Sequence, residues 1–255
     1  DHMALDGLTD AYDQVSMGES TERHVARLGI SREAQDAFGA ASHQKAAAAH
    51  KNGHFAEEIV PVEIQQRKGD PLLVTDDEQI RPETTVETLA KLKPAFGHDG
   101  TITAATSSPI SDGACAVVVM SKAKAEELGL TWLAEIGAHG NVAGPDNSLH
   151  AQPANAITHA LGKQGLTVDD VDLIEINEAF AAVGLQSMKD LGVGADKVNV
   201  NGGAIALGHP IGATGARIVV TLLHELRRRG GAHGLATLCV SGGMGVAAEF
   251  SREGL

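Results

Sequence analysis

Aromatic side chains are scarce in this 255-residue chain, which carries one Trp, one Tyr and five Phe. Hydrophobic residues still make up 43% of it, so Ala, Val, Leu and Ile must fill the core. Cysteine is scarcer still, with Cys115 and Cys239 alone. Two thiols do not make a disulfide framework, and a chain of this size needs none, so reduced thiols and a cytoplasmic location are expected. Positive charge is in deficit: 20 Lys and Arg face 33 Asp and Glu, for a formal net charge of −13. That balance argues against a nucleic-acid partner, because phosphate backbones select a positive surface. It still permits one phosphorylated ligand where basic residues gather locally. No apolar run approaches the length of about 18 residues that a membrane helix needs, so no membrane partner is expected. No signal-peptide layout opens the chain. Its first residues, Asp1 to Gly7, read like a sequence entered partway through.

Glycine, by contrast, is plentiful at 30 residues, which points to tight turns or to backbone brought close to a ligand. The pattern divides the chain into a loop lobe over 1–110 and a core domain over 111–255. In the lobe, Ser31 can cap one strong Ala-rich helix that runs to about Lys51. Glu58 to Ile64 alternates like a strand, and Arg67-Lys68-Gly69-Asp70 makes a basic turn. In the core, apolar runs at Cys115–Met120, Trp132–Gly137, Val171–Ile176, Leu235–Val240 and Val246–Phe250 read as strands. Val198 to Val200 adds a brief one. Helices are expected over Lys122–Leu128, Pro153–Leu161, Ala179–Leu191 and Gly215–Arg229, with Gly192 stopping the third. Strands alternating with helices imply an α/β fold: a mixed five-stranded sheet with helices on both faces.

Three segments carry chemistry, each where a strand ends, the place where open α/β sheets seat their ligands. Asn177-Glu178-Ala179-Phe180-Ala181 follows Val171–Ile176. Asn177 reads as a helix N-cap, as a side-chain amide that fixes a water or a carbonyl, or as both, and Glu178 as a first-turn carboxylate. The second segment, Asn199 to Arg217, surrounds His209 with five glycines and Pro210. A rigid loop presenting one imidazole points to a proton acceptor near neutral pH, or to an N–H for a developing oxyanion. The third, Cys239-Val240-Ser241-Gly242-Gly243-Met244-Gly245, follows Leu235–Leu238. A cysteine there is either a small apolar side chain or, beside a nest of N–H groups, a thiol of lowered pKa. Cys115 has no such setting and is expected to be core packing.

These three strings, in this order and spacing, resemble the carboxy-terminal motifs of the thiolase family, closest to bacterial acetyl-CoA C-acetyltransferases. The likeness extends to Gly7-Leu8-Thr9-Asp10, Met17-Gly18 and Lys93-Pro94-Ala95-Phe96, and covers roughly the carboxy-terminal two-thirds of a typical member. It implies a thiolase-like fold and reversible Claisen condensation, two acetyl-CoA giving acetoacetyl-CoA and CoA. Coenzyme A thioesters would be substrates, with no covalently bound cofactor and no metal. By resemblance, His209 would activate the nucleophilic cysteine and offer its N–H to a thioester oxygen. Asn177 would hold a water in the same oxyanion hole. Cys239 would be the acid/base at the α-carbon, and the N–H at Ser241 would serve a second oxyanion hole. Ser108 matches a position that meets the pantetheine arm, Phe96 and Phe180 match pocket walls, and Arg67 or Lys68 can meet nucleotide phosphates. Met17 belongs to the acyl pocket.

The family has glycine where Ser241 stands, so the turn must accept a Cβ. Many biosynthetic members have histidine where Ser16 stands, which leaves acyl-chain length open. The alternatives are a degradative 3-ketoacyl-CoA thiolase of broader chain length and a non-catalytic thiolase-like acyl-CoA-binding or scaffold subunit. The resemblance further implies that the amino-terminal half, with its acylated cysteine, is absent, so that this chain alone is inactive. An N-terminal thiolase half and assembly into a homodimer or homotetramer complete the expected partners, along with exposed apolar surface where that half would sit.

Overall fold

The computed structural model describes residues 1–255. In chain order the elements are α1 (Met17–Leu28), α2 (Arg32–Lys51), β1 (Val62–Ile64), β2 (Leu72–Val74), α3 (Val86–Leu89), α4 (Lys122–Glu127) and β3 (Glu135–Ala143). There follow α5 (Gln152–Gln164), β4 (Leu173–Ile176), α6 (Ala181–Leu191), α7 (Ala204–Leu207), α8 (Ile211–Arg229), β5 (His233–Val240) and β6 (Met244–Ser251).

The central sheet has the order β3-β6-β5-β4. Strands β4 and β5 run parallel, with Leu173 opposite Gly234, while β5–β6 and β6–β3 are antiparallel. Side chains alternate across a strand, so neighbours on β4 and β5 enter different cores. Ile174, Ile176 and Leu235 pack with Ala156, Ile157, Ala160 and Leu161 of α5. Leu173 and Ala236 turn the other way, against Ile218, Leu222 and Leu226 of α8. Helices therefore cover both faces. Alanines rather than aromatics line the inner face of α5, which brings that helix close to the sheet. A third cluster, Met17, Val25, Ile102, Leu149, Phe180, Ala182, Val183 and Cys239, joins the lobe to the core.

Local signals set most boundaries. Ser31 Oγ accepts from Ala34 N and starts α2. Left-handed glycines close α5, α6 and α8 at Gly165, Gly192 and Gly230. Helix α5 thus runs past Gly162 to the first position where a left-handed residue ends it. Helix α8 starts four residues before the expected Gly215, because Pro210 serves as its N-cap.

Two expectations fail. The lobe holds a second full helix, α1, amphipathic and capped by Ser16, whose buried face mixes Met17 and Val25 with Ser20, Thr21 and His24. The fifth strand does not form: residues 112–120 make no backbone–backbone hydrogen bond, and Val118 and Val119 are 86% and 65% exposed. A β-branched run becomes a strand only where a free edge takes it up, and this one lies against neither edge strand of the sheet, β3 or β4. Cys115 accordingly is half-buried rather than core. Smaller shifts share that cause. Strand β3 sits further along than Trp132–Gly137, because its partner β6 sets its limits. Val198 forms only a single bridge, to Ile174. Of the Glu58–Ile64 stretch, only Val62–Ile64 pairs, with Leu72–Val74.

Candidate active site

Strand β4 delivers Asn177 to a point where its side chain is fully buried. Asn177 N donates to Thr237 O at 2.9 Å, fixing it against β5 two residues before Cys239. Asn177 is not a cap: α6 begins four residues later, with Phe180 at its N-cap position and no side-chain cap bond. Its Nδ2 instead lies 3.3 Å from His209 Nε2.

His209 is positioned by the turn into α8. Its Nδ1 lies 2.7 Å from Thr214 Oγ1, which is itself 3.0 Å from Pro210 O. The single hydroxyl proton of Thr214 goes to that carbonyl, so Nδ1 carries the hydrogen and Thr214 accepts it. Nε2 then holds a lone pair and accepts from Asn177 Nδ2–H. Burial pushes the imidazole pKa down to about 4, and the charge of Arg217 adds to the shift. At neutral pH the ring is uncharged, with its basic nitrogen toward Asn177.

Cys239, at the end of β5, is 9% exposed and packs with Met17, Phe180 and Leu149. Its thiol corrects the expectation of a lowered pKa. Burial pushes it up to about 12, and the backbone contact offsets only part of that. The glycine turn is real, with Gly242 and Gly243 at φ 87 and 72. Ser241 is not among the positive-φ residues, so its Cβ is accommodated, and its Oγ donates to Met17 Sδ at 3.5 Å.

Phe96 and Phe180 meet edge to face, 6.1 Å between centroids, beside the cluster that holds Met17 and Cys239. Ser108 is tied to the entry of α6, its N and Oγ both donating to Ala179 O at 3.0 and 3.2 Å. Arg67 and Lys68 stand exposed in the turn between β1 and β2, and no hydrogen bond or ion pair links them to the other candidates.

Sequence reasoning missed Thr214, whose spacing of five residues from His209 becomes a contact only once Pro210 turns the chain. It also missed a buried pair beneath the site. Glu175, on β4, has its carboxyl pushed up to about 8 by burial, against the pull of Arg217. Their closest approach, 3.6 Å, is too long to offset desolvation.

Comparisons with known proteins come from both ends of the chain. Residues 130–252 match the model of the thiolase C-terminal domain, and residues 1–123 match that of the thiolase N-terminal domain. The second match corrects the expectation that only the carboxy-terminal part is represented and the amino-terminal domain absent. An inference of inactivity therefore cannot rest on an absent amino-terminal domain. A probable acetyl-CoA acetyltransferase of Mycolicibacterium smegmatis is 61% identical over 99% of this chain and 65% of its own length. An acetyl-CoA acetyltransferase of Chromobacterium violaceum is 55% identical over 99% of this chain and 64% of its own. The chain thus spans just under two-thirds of the relatives it matches. Among solved structures, the Bacillus anthracis acetyl-CoA acetyltransferase superposes with TM-score 0.93 at 43% identity, covering 98% of this chain and 63% of that one. Human mitochondrial 3-ketoacyl-CoA thiolase follows at TM-score 0.89 and 37% identity, with 98% and 62% covered.

Proposed function

Because the chain belongs to the thiolase family, we propose that it supplies the acid/base and oxyanion groups for reversible acyl transfer between CoA thioesters. The reaction is condensation of two acetyl-CoA to acetoacetyl-CoA and CoA, or its reverse. The observation that carries this reading is the state of His209, a neutral ring held by Thr214 with the Nε2 lone pair facing Asn177.

A neutral Nε2 takes the proton of an attacking thiol. The same nitrogen, once protonated, is an N–H donor for the thioester oxygen, and such a donor lowers the barrier by about 3 kcal/mol. Asn177 Oδ1 has no protein partner, which supports its reading as the holder of a water in that hole. Cys239 rests as a thiol, which suits proton return to the α-carbon in the cleavage direction. In condensation it acts as base only after losing its proton. The acylated thiol is assigned to neither cysteine: Cys239 has this other task, and burial raises the pKa of Cys115. It falls to the part of the relatives' length that this chain does not span. Ser241, Ser108, Phe96, Phe180, Met17, Arg67 and Lys68 line the thioester and its CoA arm.

The exposed segment 112–120 supports association, with further thiolase sequence or with other copies in a dimer or tetramer. Identities of 55% and 61% to acetyl-CoA acetyltransferases, against 37% to the 3-ketoacyl-CoA thiolase, favour the short-chain reading. Denaturing mass measurement after incubation with acetyl-CoA tests the assignment. An acetyl adduct on neither Cys115 nor Cys239, together with acetoacetyl-CoA cleavage by the assembled protein, supports it. An adduct on Cys239 removes the acid/base role proposed for that residue.

A further inference from the structure

Glu178 has no part in the chemistry above, yet it is among the best-connected side chains in the protein. It directly follows Asn177 and is 1% exposed. A buried carboxylate is tolerated only when donors surround it. No cation lies within ion-pair distance of this one. Ser42 Oγ donates to Oε2 at 2.6 Å, Ile205 N donates to Oε2 at 3.1 Å, and Asn199 Nδ2 donates to Oε1 at 2.9 Å.

These donors come from α2, from α7 and from the start of the loop that ends in His209. Asn199 adopts the left-handed φ of 45 and grips β4 on both sides: Ile176 N donates to its Oδ1 and its Nδ2 donates to Ile176 O, each at 2.8 Å. Ser42 Oγ also accepts from Gly203 N at 3.1 Å. The glycine pair follows from this crowding. A Cβ on Gly203 would stand 2.3 Å from the Glu178 carboxyl carbon, and one on Gly202, at φ 80, would stand 2.5 Å from Ser42 O. The loop is thus pressed between α2 and the Glu178 carboxylate.

We propose that Glu178 is a positioning residue, its carboxylate holding the loop that presents His209 against the strand end that presents Asn177. The lone 3.3 Å contact between those two side chains is too weak to hold two backbone segments in register. Three bonds to one carboxylate, formed one residue from Asn177, do so. Displacements of about 1 Å at such a pair change rates by about a hundredfold, so the clamp bears on turnover without touching substrate. The consequence for turnover rests on the thiolase reading, whereas the geometric claim does not.

The test follows the His209 ring nitrogens by NMR in 15N-histidine-labelled protein. The forms compared are wild type, Glu178→Ala, Glu178→Gln and Ser42→Ala, alongside acetoacetyl-CoA cleavage by the assembled enzyme. Glu178→Ala is expected to move the Nε2 signal and to lower kcat at least tenfold with KM within about twofold. Glu178→Gln, whose amide oxygen can keep the Ser42 and Ile205 bonds while its NH2 meets the Asn199 amide donor, is expected to recover part of both. Ser42→Ala removes one donor and gives a smaller shift in the same direction, and it decides the matter if Glu178→Ala does not fold. Ring signals identical to wild type in Ser42→Ala and in any folded Glu178→Ala overturn the proposal. Absence of acyl transfer in wild type would remove the thiolase reading while the ring signals still decide the positioning claim.

Discussion

Residues 199–209 and residues 112–120 are both strand-flanking segments of the α/β core, and they end in opposite conditions. The first carries three glycines and only the single-turn helix α7, yet Asn199, Asn201 and Gly203 are each held by a buried hydrogen bond. The second has Val117, Val118 and Val119 in a row, the composition of a core strand, and makes no backbone hydrogen bond at all. Propensity is a weak prior beside the supply of partners. The glycine-rich loop has partners because the Glu178 carboxylate and Ser42 converge on it. The valine-rich segment has none because the sheet edges of this chain are elsewhere.

Substitutions can sharpen that contrast or break it. The largest effect is expected at the end of the ordered loop. His209→Ala should lower kcat by about a thousandfold or more in the assembled enzyme, with the circular dichroism spectrum unchanged. Steady-state cleavage of acetoacetyl-CoA measures it, and a loss under threefold would end the catalytic reading.

Truncating a β-branched side chain in each kind of segment comes next. Ile176→Ala, at a fully enclosed position on β4, should destabilise by about 2–4 kcal/mol, whereas Val118→Ala should stay within about 0.5 kcal/mol in the isolated chain. Urea midpoints compare them. Equal losses would mean that 112–120 is already packed in solution.

A smaller effect concerns pH. Burial depresses His150 from 6.5 to about 4, with His24 and Arg27 adding to the shift and Asp146 opposing it. A folded-state pKa below the unfolded one means that the unfolded chain binds the proton first as pH falls. The stabilising effect of neutral His150 is therefore intact above about 6.5 and fades between there and 4. His150 should account for about 2 kcal/mol of the cost of going from pH 7 to 5, with His209 adding a similar amount, so His150→Leu should lessen that dependence in urea titrations without abolishing it. An unchanged slope in the variant would place the acid sensitivity elsewhere.

The smallest effect is expected at Ser241. Ser241→Gly frees a turn whose neighbours already supply the left-handed φ values, so stability should move by less than about 1 kcal/mol. Loss of the Oγ contact to Met17 should instead appear as a changed ratio of cleavage rates for short and longer 3-ketoacyl-CoA. An unchanged ratio would detach Ser241 from acyl selection.

Much of this was readable in advance, and particular residues explain why. Ser31, Gly192 and Gly230 end or begin helices through bonds to residues close in the chain, so their signals are local. The apolar runs at Val171–Ile176 and Leu235–Val240 gave the sheet, and the motifs around Asn177, His209 and Cys239 named the candidate site. Helix α1 was overlooked although Ser16 caps it, because polar Ser20, Thr21 and His24 share its buried face with Met17 and Val25, and His24 meets Asn147 and His150 of the core. Asn177 looked like a cap because α6 was expected to start at Ala179, and its real contact lies 32 residues further on. The Cys239 thiol could not be judged from the glycine turn beside it. The enclosing cluster of Met17, Leu149 and Phe180 is assembled from three separate stretches of chain.

The sequence by itself determined most of the helices and strands from α2 onward, the turns that end them and the three candidate segments, since each depends on side chains a few residues apart. Tertiary structure alone decided which nitrogen of His209 is free, whether Cys239 rests as a thiol, what Glu178 holds and whether Val117–Met120 becomes a strand. Each of those depends on hydrogen-bond partners or on burial supplied by residues distant in the chain, which spacing along the backbone does not encode.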